Sequence, residues 1–136
     1  MLVGRDAATV AVRADDGRLY FVGMPQDRHA AREWLRRDGD GRDVTAAMGL
    51  GRCDAMGCVV ATAGGTVVLS RRAESLADDC ARATILVSAA QVACDGPKLM
   101  LDGARAARAQ GVAIWFSPWR VQSVREWRGE RPWTLQ

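Results

Sequence analysis

The chain has 136 residues and a formal net charge of +3 at pH 7, and hydrophobic residues make up 49% of it. This length predicts one domain, residues 1–136, with a core of its own, and the apolar content excludes a disordered chain. Among the cations Lys98 is the only lysine and all the others are arginine. This bias fits either a GC-rich genome or phosphate recognition, which guanidinium groups perform better than ammonium groups.

The first half of the sequence predicts a hairpin followed by a helix. Two strand-like runs, 9–13 and 19–22, flank an Asp-Gly turn of the kind that closes hairpins. Over 27–37, apolar residues recur at helical spacing with arginines on the other face, and Asp27 is a candidate N-cap. A loop follows, with one helical turn predicted over 45–48.

The second half alternates strand pairs with single helices. This order is typical of an α/β (α+β) fold, and we expect a mixed β-sheet with helices packed against it. The predicted elements are a hairpin (56–62 and 66–71), a helix (74–83), a buried strand (84–88), a short strand (98–101), a helix (104–109) and a last strand pair (112–116 and 121–127).

Four cysteines, Cys53, Cys58, Cys80 and Cys94, share the chain with a single histidine, His29. One imidazole cannot supply the histidine shell of a hydrolytic metal site. The thiols therefore form disulfides, a closed all-cysteine zinc site, or plain buried core residues. Neither cysteine pair has the C-x-x-C spacing of a zinc knuckle, and we favour two local disulfides, 53–58 and 80–94. The second would stabilise the fold by about 3 kcal/mol in the chain-entropy model.

The sequence contains no signal peptide and no membrane span that we recognise. Residues 1–6 lack an apolar core, and the longest uncharged stretch, 59–70, is too short to cross a bilayer. If the disulfides form, we expect this chain to be the outer, extracytoplasmic part of a larger protein.

The acidic residues do not form a recognisable catalytic or metal motif. The run from Asp38 to Asp43 resembles a calcium loop, but Gly49 stands where an EF-hand has its closing glutamate. Asp78 and Asp79 are adjacent on a predicted helix and so point in different directions. We predict no catalytic residue, no metal site and no cofactor.

Tryptophans and arginines interleave near the C-terminus. Aromatic platforms between cations are typical of proteins that hold single-stranded nucleic acid. The alternative is a last strand whose tryptophans pack inward while arginines stack on their faces. A second basic group (Arg32, Arg36, Arg37 and Arg42) would extend a binding surface or simply be solvated. The residues predicted to contact nucleic acid are Arg120, Arg125, Trp127, Arg128, Arg131 and Trp133.

Several short motifs, taken in order, resemble the C-terminal soluble region of ComEC-type competence proteins in their alphaproteobacterial form. The motifs are Arg13-Ala14-Asp15-Asp16-Gly17-Arg18-Leu19, Glu33-Trp34-Leu35-Arg36-Arg37-Asp38-Gly39-Asp40, Arg52-Cys53-Asp54-Ala55-Met56-Gly57-Cys58, the run from Asp79-Cys80 through Ile85-Leu86-Val87-Ser88 to Cys94, and Arg128-Gly129-Glu130-Arg131-Pro132-Trp133. The resemblance covers nearly the whole chain.

This resemblance implies a role in DNA uptake. ComEC-type proteins are inner-membrane channels that pass one DNA strand inward, and many carry a C-terminal metallo-β-lactamase-like domain with an H-x-H-x-D-H cluster and a later His-His-Gly segment. Here the corresponding buried strand, Ile85 to Ser88, is followed by Ala89-Ala90-Gln91-Val92, and the first cluster is missing. The resemblance thus implies a degenerate, truncated version of that fold.

The function implied is that of a non-catalytic periplasmic domain of a DNA-uptake channel, with a structural or DNA-guiding role. Its expected partners are DNA, of which single-stranded DNA is one form, the membrane-embedded segments of the same protein, and other uptake proteins. Two alternatives stay open. One is a protein–protein interaction module, and the other is a cryptic nuclease that holds a hard cation with Asp38, Asp40, Asp78, Asp79 or Asp102.

Overall fold

The computed structural model describes residues 1–129. Within this range it contains ten strands and five short helices. The strands are β1 (Leu2–Val3), β2 (Val10–Arg13), β3 (Leu19–Phe21), β4 (Arg52–Asp54), β5 (Gly57–Thr62), β6 (Gly65–Ser70), β7 (Ile85–Ser88), β8 (Leu99–Asp102), β9 (Val112–Phe116) and β10 (Trp119–Ser123). The helices are α1 (Arg28–Arg37), α2 (Val44–Ala47), α3 (Leu76–Arg82), α4 (Gly103–Ala109) and α5 (Val124–Arg128).

Sheet 1 is antiparallel, with the strand order β10-β9-β1-β2-β3. It joins the two ends of the described chain, because β1 lies between the N-terminal hairpin and the last strand pair. The register aligns one row of side chains across all five strands, namely Gln122, Ala113, Leu2, Ala11 and Phe21.

Sheet 2 is mixed, with the strand order β4-β5-β6-β7-β8. Its first three strands pair in antiparallel fashion, and β6, β7 and β8 are parallel. A parallel pair needs a crossover connection, and α3 supplies it between β6 and β7. All four residues of β7 are buried, as the continuous apolar run 84–88 predicted.

The two sheets pack face to face, and helices cover parts of their outer faces. Apolar side chains of both inner faces form the main core. These are Val3, Val10, Val12, Val112 and Ile114 from sheet 1, and Val60, Val67, Leu69, Ile85, Val87 and Leu101 from sheet 2. On the outside, Ala31 and Leu35 of α1 pack on sheet 1, and Leu76 and Cys80 of α3 pack on sheet 2.

The fold confirms the predicted α+β class but differs from the predicted arrangement. Two five-stranded sheets are present where one mixed sheet was expected. The two-residue β1 and the three-residue β4 were not predicted, because runs so short carry no readable alternation. Most other elements lie within a few residues of their predicted bounds, including the helix that Asp27 caps by accepting from the Ala30 amide.

Candidate nucleic-acid interface

The β9–β10 hairpin places Trp115 and Arg120 side by side on the outer face of sheet 1, opposite the main core. The two residues are direct partners in the strand register, and the Arg120 guanidinium lies 4.9 Å from the centre of the Trp115 ring. Arg120 also donates from Nη2 to Oε1 of Gln122 at 3.2 Å. Trp115 remains 46% exposed. A cation and an aromatic surface are therefore available to solvent at the same place.

Trp127 lies on a helix and not on a strand. The sequence predicted a strand over 121–127, but β10 ends at Ser123 and α5 begins at the next residue. Ser123 accepts from the Glu126 amide at 3.0 Å, and the Glu126 carboxylate accepts from the Ser123 amide at 3.1 Å. This reciprocal pair is a capping box, and its S-x-x-E signature was readable in the sequence.

The helix makes Trp127 the most exposed of the large hydrophobic residues among those described, at 73%. Arg125 and Arg128 lie in the same short helix. The predicted cation and tryptophan therefore do lie together at this end of the molecule. The other two predicted contact residues, Arg131 and Trp133, lie outside the described range.

Trp119 behaves differently from the other tryptophans on this hairpin. It is half-buried and packs against the main core, and Lys98 Nζ lies 4.0 Å from its ring centre. This tryptophan fits the alternative interpretation, in which aromatic residues pack inward and cations stack on them. Trp115 and Trp127 do not fit it, because both point into solvent.

A groove of about 170 Å³ lies between α1, α5 and the uncovered part of sheet 1. Its walls include Leu2, Ala30, Trp34, Ala113 and Val124. Leu2 and Ala113 belong to the outer face of sheet 1, so the groove and the Trp115–Arg120 pair share that face.

Two of the four arginines in the second basic group are already paired. The Arg36 guanidinium is paired with Glu33 at 2.7 Å. Arg42 is paired with Asp40 at 2.7 Å, and its guanidinium also lies over the Tyr20 ring. Arg32 and Arg37 are exposed on α1. The described structure therefore offers two of these four arginines as unobstructed surface cations.

All four cysteines are paired in the structure, Cys53 with Cys58 and Cys80 with Cys94. These are the pairings that the sequence favoured over a zinc site or buried thiols. The first bridge joins β4 to β5 at directly opposed register positions. The second ties α3 to the connection between β7 and β8, across 14 positions of sequence.

The carboxylates named for a cryptic nuclease are dispersed, and most are already engaged. Arg13 is paired with Asp38 at 2.9 Å, and this hydrogen bond lowers the pKa of that carboxyl. Asp79 is 2% exposed and accepts from Ser75 and Arg82, each at 2.8 Å. Asp102 caps α4, where backbone amides lower its pKa. Within residues 1–129 no three acidic, histidine or cysteine side chains gather in a metal-binding group.

The position that the resemblance assigns to a metal centre does not fit one. The segment that follows β7 lines a cavity of about 260 Å³ at the carboxyl ends of β6 and β7. Carboxyl ends of parallel strands are common ligand sites. The lining side chains, however, are those of Ala7, Ala8, Gln26, Leu69, Ser70, Arg71, Ala89 and Ala90. Of these side chains only Gln26 and Ser70 carry an oxygen that could bind a metal ion, and Arg71 repels a cation, so we derive no metal-dependent step.

No protein-family model, curated protein or solved structure matches the chain. In the described part, none of the helices combines the length and the apolar character needed to cross a membrane. The two disulfides are consistent with an oxidising, extracytoplasmic compartment.

Proposed function

We propose that this chain is a non-catalytic periplasmic domain of a ComEC-type DNA-uptake channel, and that it guides an incoming DNA strand across one of its surfaces. The observation that carries the DNA contact is the solvent-exposed pairing of Trp115 with Arg120, together with the exposed Trp127 of α5, the helix that follows the same hairpin. Exposing tryptophan side chains to water costs free energy, so exposed tryptophans indicate a binding surface. Nucleic acid fits a surface that also carries cations, because its bases stack on the aromatic rings and its phosphates pair with the cations.

Three further features support the proposal. The ordered sequence motifs resemble the ComEC-type region over nearly the whole chain. Two face-to-face sheets are the kind of sandwich that a degenerate metallo-β-lactamase relative would keep. The disulfides suit a periplasmic domain anchored by the rest of an inner-membrane protein.

The first test measures how salt changes the affinity for a labelled single-stranded oligonucleotide, by fluorescence anisotropy. If Arg120, Arg125 and Arg128 each neutralise one phosphate, affinity should fall about twentyfold between about 50 and 200 mM salt. Trp127→Ala should remove roughly 1–3 kcal/mol of binding free energy, because a base loses its stacking platform. Arg120→Gln should reduce the slope of log affinity against log salt concentration by the amount that corresponds to one phosphate contact.

Two control variants change similar residues elsewhere. Arg18→Gln removes an exposed arginine from the β2–β3 turn, next to the opposite edge of sheet 1. Met24→Ala removes an apolar side chain that is 54% exposed. Both should bind DNA as the wild type does. A flat salt titration, or controls that weaken binding as much as the interface variants, would contradict DNA guiding.

The groove of Leu2, Ala30, Trp34, Ala113 and Val124 favours a second candidate, a module that docks on the membrane-embedded segments of its own channel or on other uptake proteins. An apolar groove that is open to solvent suits a protein segment better than a phosphate backbone. Absence of DNA binding, together with protection of these residues by the assembled channel in hydrogen exchange, would favour this candidate over the first.

A further inference from the structure

The Cys53–Cys58 disulfide lies at an edge of sheet 2. β4 has three residues, all exposed, and among the described strands it is paired with β5 alone. Cys53 and Cys58 face each other directly in the ladder, and only four residues separate them along the chain. The bridge thus connects neighbours that the hairpin already holds together.

The two cysteines of this bridge differ in their exposure to solvent. Cys58 is 0% exposed and belongs to the main core, whereas Cys53 is an exposed residue. A thiolate that enters from solvent therefore meets Cys53 first, and Cys58 becomes the leaving sulfur.

A guanidinium lies beside the leaving sulfur. Nη2 of Arg71 is 3.8 Å from Sγ of Cys58. Gly23 lies against the same group, since a Cβ added there would be 2.8 Å from the Cys58 sulfur, 3.1 Å from Nη2 of Arg71 and 3.2 Å from the Cys53 sulfur. A cation next to a sulfur stabilises the thiolate form, and a stabilised thiolate leaves faster in disulfide exchange.

The second disulfide lacks this arrangement. Cys80 and Cys94 are both half-buried, and they pack with the apolar cluster on the outer face of sheet 2. Cys94 Sγ contacts the Met100 thioether at 3.7 Å. A thioether carries no charge that could stabilise a departing thiolate, so this bridge has the character of a permanent cross-link.

We propose that Cys53–Cys58 is a thiol–disulfide exchange site that takes a reduced protein dithiol as its partner. The partner's thiolate attacks Cys53 Sγ, the Cys53–Cys58 bond breaks, and its electron pair leaves with Cys58 as a thiolate beside Arg71. The partner's second thiolate then attacks the partner sulfur of the mixed disulfide and releases Cys53. The partner dithiol is oxidised to a disulfide, and this chain is reduced to two thiols. Neither step requires DNA binding.

The experiment uses dithiothreitol as the dithiol probe on the folded chain. Samples are alkylated at intervals, and mass spectrometry of the peptides reports which cysteines were freed. We expect Cys53 and Cys58 to be reduced at least about tenfold faster than Cys80 and Cys94, with the far-UV circular dichroism unchanged. Equal rates for the two bridges, or reduction only after unfolding in urea, would overturn the proposal.

Variants of Arg71 test the role of the cation. Arg71→Gln should slow reduction of Cys53–Cys58 by roughly threefold or more, and Arg71→Lys should restore much of the rate, because it keeps a positive charge near the sulfur. The matched control is Arg72→Gln, an exposed neighbour on the same connection. If Arg71→Gln and Arg72→Gln give the same rate, Arg71 does not assist the leaving sulfur. If Arg71→Gln does not fold, the reduction rates of Arg71→Lys and the wild type are compared to decide whether the cation assists the leaving sulfur.

Discussion

At the scale of single residues, several arginines bind carboxylates of the same chain. The Arg42 guanidinium donates to both oxygens of Asp40, donates to the Leu19 carbonyl at 2.6 Å, and lies over the Tyr20 ring. The Asp40 side chain is only 9% exposed. The carboxylates of the acidic run are therefore engaged, because Asp38 and Asp40 have arginine partners and Asp43 caps α2.

The Asp40–Arg42 pair should make stability depend on acidity. Hydrogen bonds from the Arg42 side chain and amide lower the Asp40 pKa from 3.8 to about 2. A carboxyl whose pKa is depressed by folding stabilises the fold above about pH 4, and that contribution disappears as the pH falls toward 2. In urea denaturation, Asp40→Asn should therefore be less stable than the wild type at neutral pH, with a difference that shrinks between pH 4 and 2. Asp15→Asn, at an exposed position of the β2–β3 turn, should show no such pH-dependent gap.

At the scale of elements, the sequence predicted the strands and helices that have a clear residue pattern. It missed the short strands that form only because a neighbouring strand pairs with them. The Asp-Gly turn and the periodic spacing of α1 were sufficient to place the N-terminal hairpin and its helix. β1 and β4 are too short for any pattern. β1 forms because Leu2 pairs with Ala113, which is distant in sequence, and in β4 Cys53 is bridged to Cys58. Trp115 was not selected as a contact residue, because only the strand register reveals Arg120 as its partner.

The α5 helix should depend on its N-cap, because five residues are too few for an isolated helix to be stable. Ser123→Ala removes the hydroxyl that accepts from the Glu126 amide and should cost about 1 kcal/mol of local stability. Amide exchange over 125–128 should then be about fivefold faster, and DNA affinity should fall because Trp127 and Arg128 lose their fixed position. Ser123→Thr keeps the hydroxyl and should behave as the wild type does. Unchanged exchange in Ser123→Ala would show that tertiary contacts alone hold α5.

At the scale of the whole molecule, the two sheets and the disulfides stabilise different parts of the fold. The sequence could not reveal that the strands form two sheets, because this depends on β1 joining the ends of the described chain. The main core between the sheets is aliphatic and continuous, whereas the cluster under α3 is smaller. The connection between β7 and β8, which belongs to that outer cluster, contains no helix. The Cys80–Cys94 disulfide attaches this connection covalently to α3.

Removing the Cys80–Cys94 bridge should consequently destabilise the whole domain. The double variant Cys80→Ala/Cys94→Ala releases a loop of 14 positions, and the chain-entropy model assigns such a loop about 3 kcal/mol of unfolding free energy. Urea denaturation followed by circular dichroism measures this difference directly. Cys53→Ala/Cys58→Ala serves as the comparison and should cost less, because its loop spans 5 positions and the hairpin ladder already holds that edge. A larger loss from the Cys53–Cys58 pair would mean that the edge strand β4, and not the crossover, is the part of the fold that depends on a covalent link.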